Sequence, residues 1–136
     1  MLEGFSAKHP YTVSDTALGM FSEIKKIIEG IDNESVKEQA LSALSQLARC
    51  LKNKNVILPH YSTLSAAQTE DGACLIEWHF PKTHIGLSFE LQETESYYFL
   101  VSIDETANEV ETKTKKINGE LNKIISNLVQ FVINNT

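Results

Sequence analysis

A chain of 136 residues with 12 basic and 18 acidic side chains carries a formal charge of −6. The length fits one domain able to bury its own core without metal or disulfide staples. The charge disfavours nonspecific attraction to nucleic acid or anionic membrane. No apolar run approaches membrane-spanning length, and Met1–Tyr11 lacks the basic and long apolar regions of a signal peptide. The expectation is a cytoplasmic protein without membrane insertion.

In chain order, residues 1–12 mix Gly4 and Pro10 with polar side chains and read as an arm, with Phe5 and Tyr11 able to tether it. A helix is expected over Asp15–Glu29, where Leu18, Phe21, Ile24, Ile28 and Ile31 form one stripe. Gly30 and Asp32-Asn33 end it. A second helix is expected over Ser35–Lys52, capped by Asn33 or Ser35, with Val36, Ala40, Leu44, Leu47 and Leu51 on one face. The short connection predicts an antiparallel helical hairpin.

Val56–Leu58 reads as a short strand running into Pro59, and His60–Glu70 as a polar loop or as a loop containing a strand near Thr63–Ala67. Asp71-Gly72 marks a turn. Cys74, Ile76, Trp78 and Phe80 then alternate with Leu75, Glu77 and His79; Ile85, Leu87, Phe89 and Leu91 alternate with Gly86, Ser88 and Glu90. This period of two predicts a hairpin with one apolar face. A four-residue turn at 81–84 sets Phe80 against Ile85, Trp78 against Leu87 and Ile76 against Phe89. Ser96–Ile103 is a third strand, with Tyr97, Phe99, Val101 and Ile103 on one side and Tyr98, Leu100 and Ser102 on the other. Glu109–Lys115 is an edge strand or the start of the last helix. That helix is expected from Ile117 through Ile133, with Leu121, Ile124, Leu128 and Phe131 or Val132 as its buried stripe. The sum is a single α+β domain over residues 1–136. It has an N-terminal helical hairpin, an antiparallel sheet of three to five strands, and a C-terminal helix packed on the sheet or in a dimer interface.

Chemistry concentrates on the polar face of the hairpin. In the expected register Glu77 and Glu90 are diagonal neighbours with His79 nearby, and Tyr98 and Ser102 join them from the third strand. Two carboxylates and an imidazole supply the parts of a metal-dependent hydrolase, as ligands or as general acid and base. A sheet's solvent face is ordinarily polar, so the same residues also read as solvated surface. His60, Tyr61 and His84 are candidates for a small-ligand pocket.

No Gly-x-Ser-x-Gly elbow, zinc-binding helix motif, phosphate loop or dinucleotide fingerprint is present, so no cofactor is expected. Cys50 and Cys74 fall on apolar faces and read as buried thiols rather than a disulfide. The favoured expectation is a noncatalytic protein-binding or regulatory domain, with a homodimer as one form of it. Its contacts would come from Phe21, Ile28, Leu128 and Phe131, with the surrounding acidic charge selecting the partner.

Overall fold

The computed structural model describes residues 11–12, 18–53, 57–58, 63–104 and 106–134. Helix α1 (Leu18–Glu29) buries Ile24 and Ile28, with Ile31 buried just past its end. Its last turn closes through Gly30 N–H to Ile27 O at 3.2 Å and Ile31 N–H to Ile28 O at 3.0 Å. The expected start at Asp15 falls outside the described residues.

Helix α2 (Glu34–Asn53) starts where Asn33 Oδ1 accepts the Val36 N–H at 3.0 Å. That bond satisfies one of the amides a helix leaves free at its first turn. Val36, Ala40, Ala43, Leu44, Leu47 and Leu51 form its buried stripe. α2 packs against α1 and against α3 (Leu121–Asn134), which buries Ile124, Ile125, Leu128, Val129 and Val132. α3 starts four residues later than its apolar pattern predicts. Asn118 and Gly119 adopt left-handed φ angles of 45° and 77°, which turn the chain between Ile117 and the helix.

A two-residue antiparallel ladder joins β1 (Tyr11–Thr12) to β2 (Ile57–Leu58), so Tyr11 and Thr12 of the expected arm are paired to the chain that follows α2. The main sheet contains β3 (Thr63–Gln68), β4 (Cys74–Phe80), β5 (Thr83–Phe89), β6 (Tyr97–Asp104) and β7 (Glu109–Lys116). They lie side by side in chain order, each antiparallel to the next. Turn chemistry fixes the corners. Between β3 and β4, Gly72 takes φ 91° and Ala73 N–H donates to Thr69 Oγ1 at 3.0 Å. Between β6 and β7, Asp104 Oδ1 accepts from Thr106 N–H at 3.1 Å and Ala107 N–H at 3.2 Å, and Asn108 takes φ 54°.

The helices cover one sheet face, and Cys74, Ile76, Trp78, Phe80, Ile85, Leu87 and Phe89 join their stripes in one core. Trp78 and Phe89 are the largest fully enclosed side chains among the described residues, and burying each apolar side chain of this size is worth roughly 1.5–3 kcal/mol. Phe80 packs edge-on against Phe131 of α3, with ring centroids 5.9 Å apart. Ile28 and Leu128, expected at a partner interface, are only 0% and 3% exposed, so neither offers a free face; Phe21 and Phe131 are half-buried against the same core.

Two features of the sheet differ from the sequence expectation. The β4–β5 connection is the two residues Pro81-Lys82, and the pairs are Phe80 with Thr83, His79 with His84, Trp78 with Ile85, Ile76 with Leu87 and Cys74 with Phe89. The register thus moves by two residues. A shift of two keeps every side chain on its face, so alternation alone does not choose between the turns. The tighter turn adds Thr83 and His84 to the ladder, and Ile103 N–H donates to the Lys82 carbonyl at 2.9 Å, tying the turn to β6.

The second difference lies in β6. Leu87 pairs with Tyr98 and Thr83 with Ser102, which puts Tyr98 and Ser102 on the helix side. Tyr97, Phe99 and Val101 occupy the opposite face. Both sides of β6 are rich in large side chains, so its alternation carries no orientation of its own.

Candidate metal centre

Glu77, His79 and His84 project from the sheet face opposite the helices. Their assembly follows from the two-residue turn. It sets His79 directly across from His84, and Glu77 lies across from Gly86, two residues away on the same face of each strand. Gly86 leaves space above the sheet that Phe99 fills. A Cβ on Gly86 would stand 2.9 Å from Phe99 Cζ, and Phe99 is itself only 7% exposed. The Phe99 ring therefore closes one flank of the Glu77 position, and Ser65 of β3, paired with Glu77, closes the other.

One Glu77 oxygen lies 3.2 Å from His79 Nε2 and the other 3.5 Å from His84 Nδ1. The two imidazoles meet edge to face with centroids 4.5 Å apart. One donor atom from each of the three side chains falls within 4.8 Å of the others. A four-coordinate cation with bonds of about 2.0–2.2 Å needs donors about 3.4 Å apart. The two carboxylate–imidazole spacings, one from each Glu77 oxygen, fall on either side of that value. The side chains of His79, His84 and Glu77 are 33%, 34% and 17% exposed, so a cation can reach them from solvent.

The same geometry does not make a nucleophile–base–acid chain. Ser65 Oγ lies 3.2 Å from His79 Nε2, the same nitrogen that Glu77 approaches. A serine triad requires the hydroxyl and the carboxylate on opposite ring nitrogens, so that one takes the proton while the other orients the ring. Ser65 instead lies within 3.4 Å of the Glu77 carbonyl, to which its hydroxyl donates. Cys74 is buried, and burial pushes its thiol up to about 11, which holds it in the unreactive protonated form at neutral pH.

Glu90 takes no part in the cluster. It follows the end of β5, four residues beyond Gly86, or roughly 13 Å along an extended strand. Its carboxylate accepts from the Ser88 hydroxyl in a short hydrogen bond. Its backbone N–H donates to Ser96 Oγ at 2.9 Å, and its carbonyl accepts from Gln39 Nε2 at 3.0 Å. Ser96 Oγ completes the link by donating to Gln39 Oε1 at 2.6 Å. This network fastens α2 to the end of the hairpin, and its Gln39 and Ser96 line a groove of about 770 Å³. Phe89, Ile117 and Leu121 add apolar walls and Glu38 and Glu93 acidic ones. None of the groove's lining residues belongs to the Glu77 cluster.

His60 and Tyr61 lie outside the described residues, while His84, expected beside them, sits opposite His79. The one signal that could have placed His84 in the cluster is the proline at position 81. Proline's fixed φ favours a tight turn starting there, and a turn of Pro81-Lys82 alone pairs the two histidines.

Among the described residues no helix is long and apolar enough to cross a membrane. In comparisons with known proteins, no family model matches the chain, and neither does any curated protein or solved structure. The protein is a small α+β domain with an antiparallel sheet, a C-terminal helix packed on it and a Glu-His-His cluster on the open face.

Proposed function

We propose that this protein is a noncatalytic, regulatory domain whose ligand is a divalent transition cation of the zinc type, held by Glu77, His79 and His84. The supporting observation is the convergence of one carboxylate and two imidazoles, each offering a donor atom within 4.8 Å of the others. Imidazole nitrogen with carboxylate oxygen suits zinc and its neighbours, whereas calcium and magnesium prefer an all-oxygen set. The roles are separable. His79 and His84 supply neutral nitrogen donors from facing positions of one hairpin, and Glu77 supplies the charge. Three protein donors leave a fourth position for water or for a side chain of a protein partner, which makes the site a means of coupling metal to recognition. The absence of a proton-relay geometry at Ser65 and the remoteness of Glu90 favour binding over hydrolysis.

Calorimetric titration of zinc chloride into the purified full chain tests this reading. One ion per chain is expected, with a rise in melting temperature as zinc is added. His79→Ala and His84→Ala lose the binding while keeping the wild-type circular dichroism, and Glu90→Ala retains it. Absence of stoichiometric binding to the wild-type chain, or binding undisturbed by both histidine variants, overturns the proposal.

A further inference from the structure

The outer edge of the sheet carries a charge order of its own. Among the described residues β7 pairs with β6 on one side and is the last strand of the sheet, and all eight of its residues are exposed. Charged side chains on an edge strand ordinarily deter further pairing. In β7 the signs are segregated. Glu109, Glu111, Lys113 and Lys115 occupy one face in the order acid, acid, base, base, and Val110, Thr112, Thr114 and Lys116 occupy the other.

We infer that β7 pairs antiparallel with β7 of a second copy of this chain, about a twofold axis at Thr112 that runs normal to the sheet. Backbone amides and carbonyls of a strand point outward at alternate residues, so two copies of one strand pair only in registers that match like faces. With Thr112 opposite Thr112, Glu109 meets Lys115 and Glu111 meets Lys113, and the twofold repeats both pairs. Four opposite-charge contacts form on one face and no like charges oppose each other. The neighbouring registers are worse. Centring on Glu111 sets two glutamates face to face, and centring on Lys113 does the same to two lysines. Charge order therefore selects a single arrangement and a single partner. The contact is isologous, it joins two five-stranded sheets into one continuous sheet, and it keeps the helices of both copies on the same side. It also brings Val110, at 68% the most exposed large apolar side chain among the described residues, beside Thr114 of the other copy. Lys116 is already engaged with Glu95 at 3.1 Å on the opposite face and remains so.

Sedimentation velocity on the full chain at low salt, up to about 1 mM, reads the outcome. A concentration-dependent monomer–dimer equilibrium that weakens with added salt is expected. K113E/K115E makes the strand face all acidic, and E109K/E111K makes it all basic. Each variant alone should self-associate at least roughly tenfold more weakly, since every favourable cross-strand pair becomes repulsive. Mixed together, the two should form a heterodimer. All four substituted positions are exposed, and circular dichroism verifies that each variant is folded. A wild-type chain that stays monomeric throughout, a dimer indifferent to K113E/K115E, or two variants that fail to associate on mixing refutes the inference.

Discussion

Gly86→Ala is the substitution that most directly tests how the hairpin is built. An added Cβ would stand 2.2 Å from the Ile76 carbonyl oxygen, 2.9 Å from Glu77 Cα and 2.9 Å from Phe99 Cζ. Two of those three atoms are backbone, so no rotamer change relieves them. Restoring an ordinary separation from the carbonyl requires β4 and β5 to part by about 1 Å, which strains ladder hydrogen bonds worth about 0.5–1.5 kcal/mol each. Overpacking a filled site adds a penalty of about 1–3 kcal/mol. Replacing glycine in a strand recovers only about 0.5–1 kcal/mol from reduced freedom of the unfolded chain. The net loss is about 3 kcal/mol, a large share of the roughly 5–15 kcal/mol that holds a domain together. For a chain of this length that lowers the melting temperature by about 10 °C.

Urea unfolding followed by circular dichroism measures the loss, and Phe99→Leu in the Gly86→Ala background locates its origin. Trimming the movable ring should restore only a minor part, because the carbonyl remains in place. A Gly86→Ala protein within about 0.5 kcal/mol of wild type, or one fully rescued by Phe99→Leu, would refute the close backbone approach argued for this pair. Because Glu77 is the residue across from Gly86, the same substitution should also weaken the zinc binding proposed for the cluster.

Three further outcomes test other parts of the structure. Ser96→Ala removes the hydroxyl that accepts from Glu90 N–H and donates to Gln39, and should cost about 1–3 kcal/mol in chemical denaturation by leaving two polar groups unpaired. For Cys74, burial raises the folded-state value from an ordinary 9.0 to about 11, so the folded chain holds this proton more tightly than the unfolded one. The resulting stability is fully present below pH 9 and is lost as the pH rises toward 11. Iodoacetamide should correspondingly leave Cys74 unmodified in the folded chain at pH 8 and label it once urea is added, as peptide mass spectrometry can read.

The helices and the strand set were legible because each buried stripe is written at its own period. Val36, Ala40, Leu44, Leu47 and Leu51 repeat at helical spacing, and Cys74, Ile76, Trp78 and Phe80 at strand spacing. What alternation cannot encode is a register shift of two, because every side chain keeps its face. The candidate site depended on that shift. Glu77 and His79 were visible on the polar face, but their companion was expected to be Glu90, whereas the tighter turn brings His84. Helix α3 was read too early for a local reason: Ile117 belongs to the core, but the left-handed Asn118-Gly119 pair separates it from the helix. β6 resisted a facing because Tyr98 and Leu100 on one side are matched by Tyr97 and Phe99 on the other.

The order of the layers along the chain also shapes how the protein leaves the ribosome. The α1–α2 hairpin is made before the main sheet, so the strand side chains that share a core with Ile28, Val36, Leu47 and Leu51 emerge only afterwards. Each strand of the main sheet then finds its neighbour as soon as it emerges, because every adjacent pair is also consecutive in sequence. The five buried side chains of α3 follow the sheet. Until they dock, α2 lacks one of its two helical neighbours. The nascent chain therefore carries an open apolar surface on α2 until α3 is made and docks.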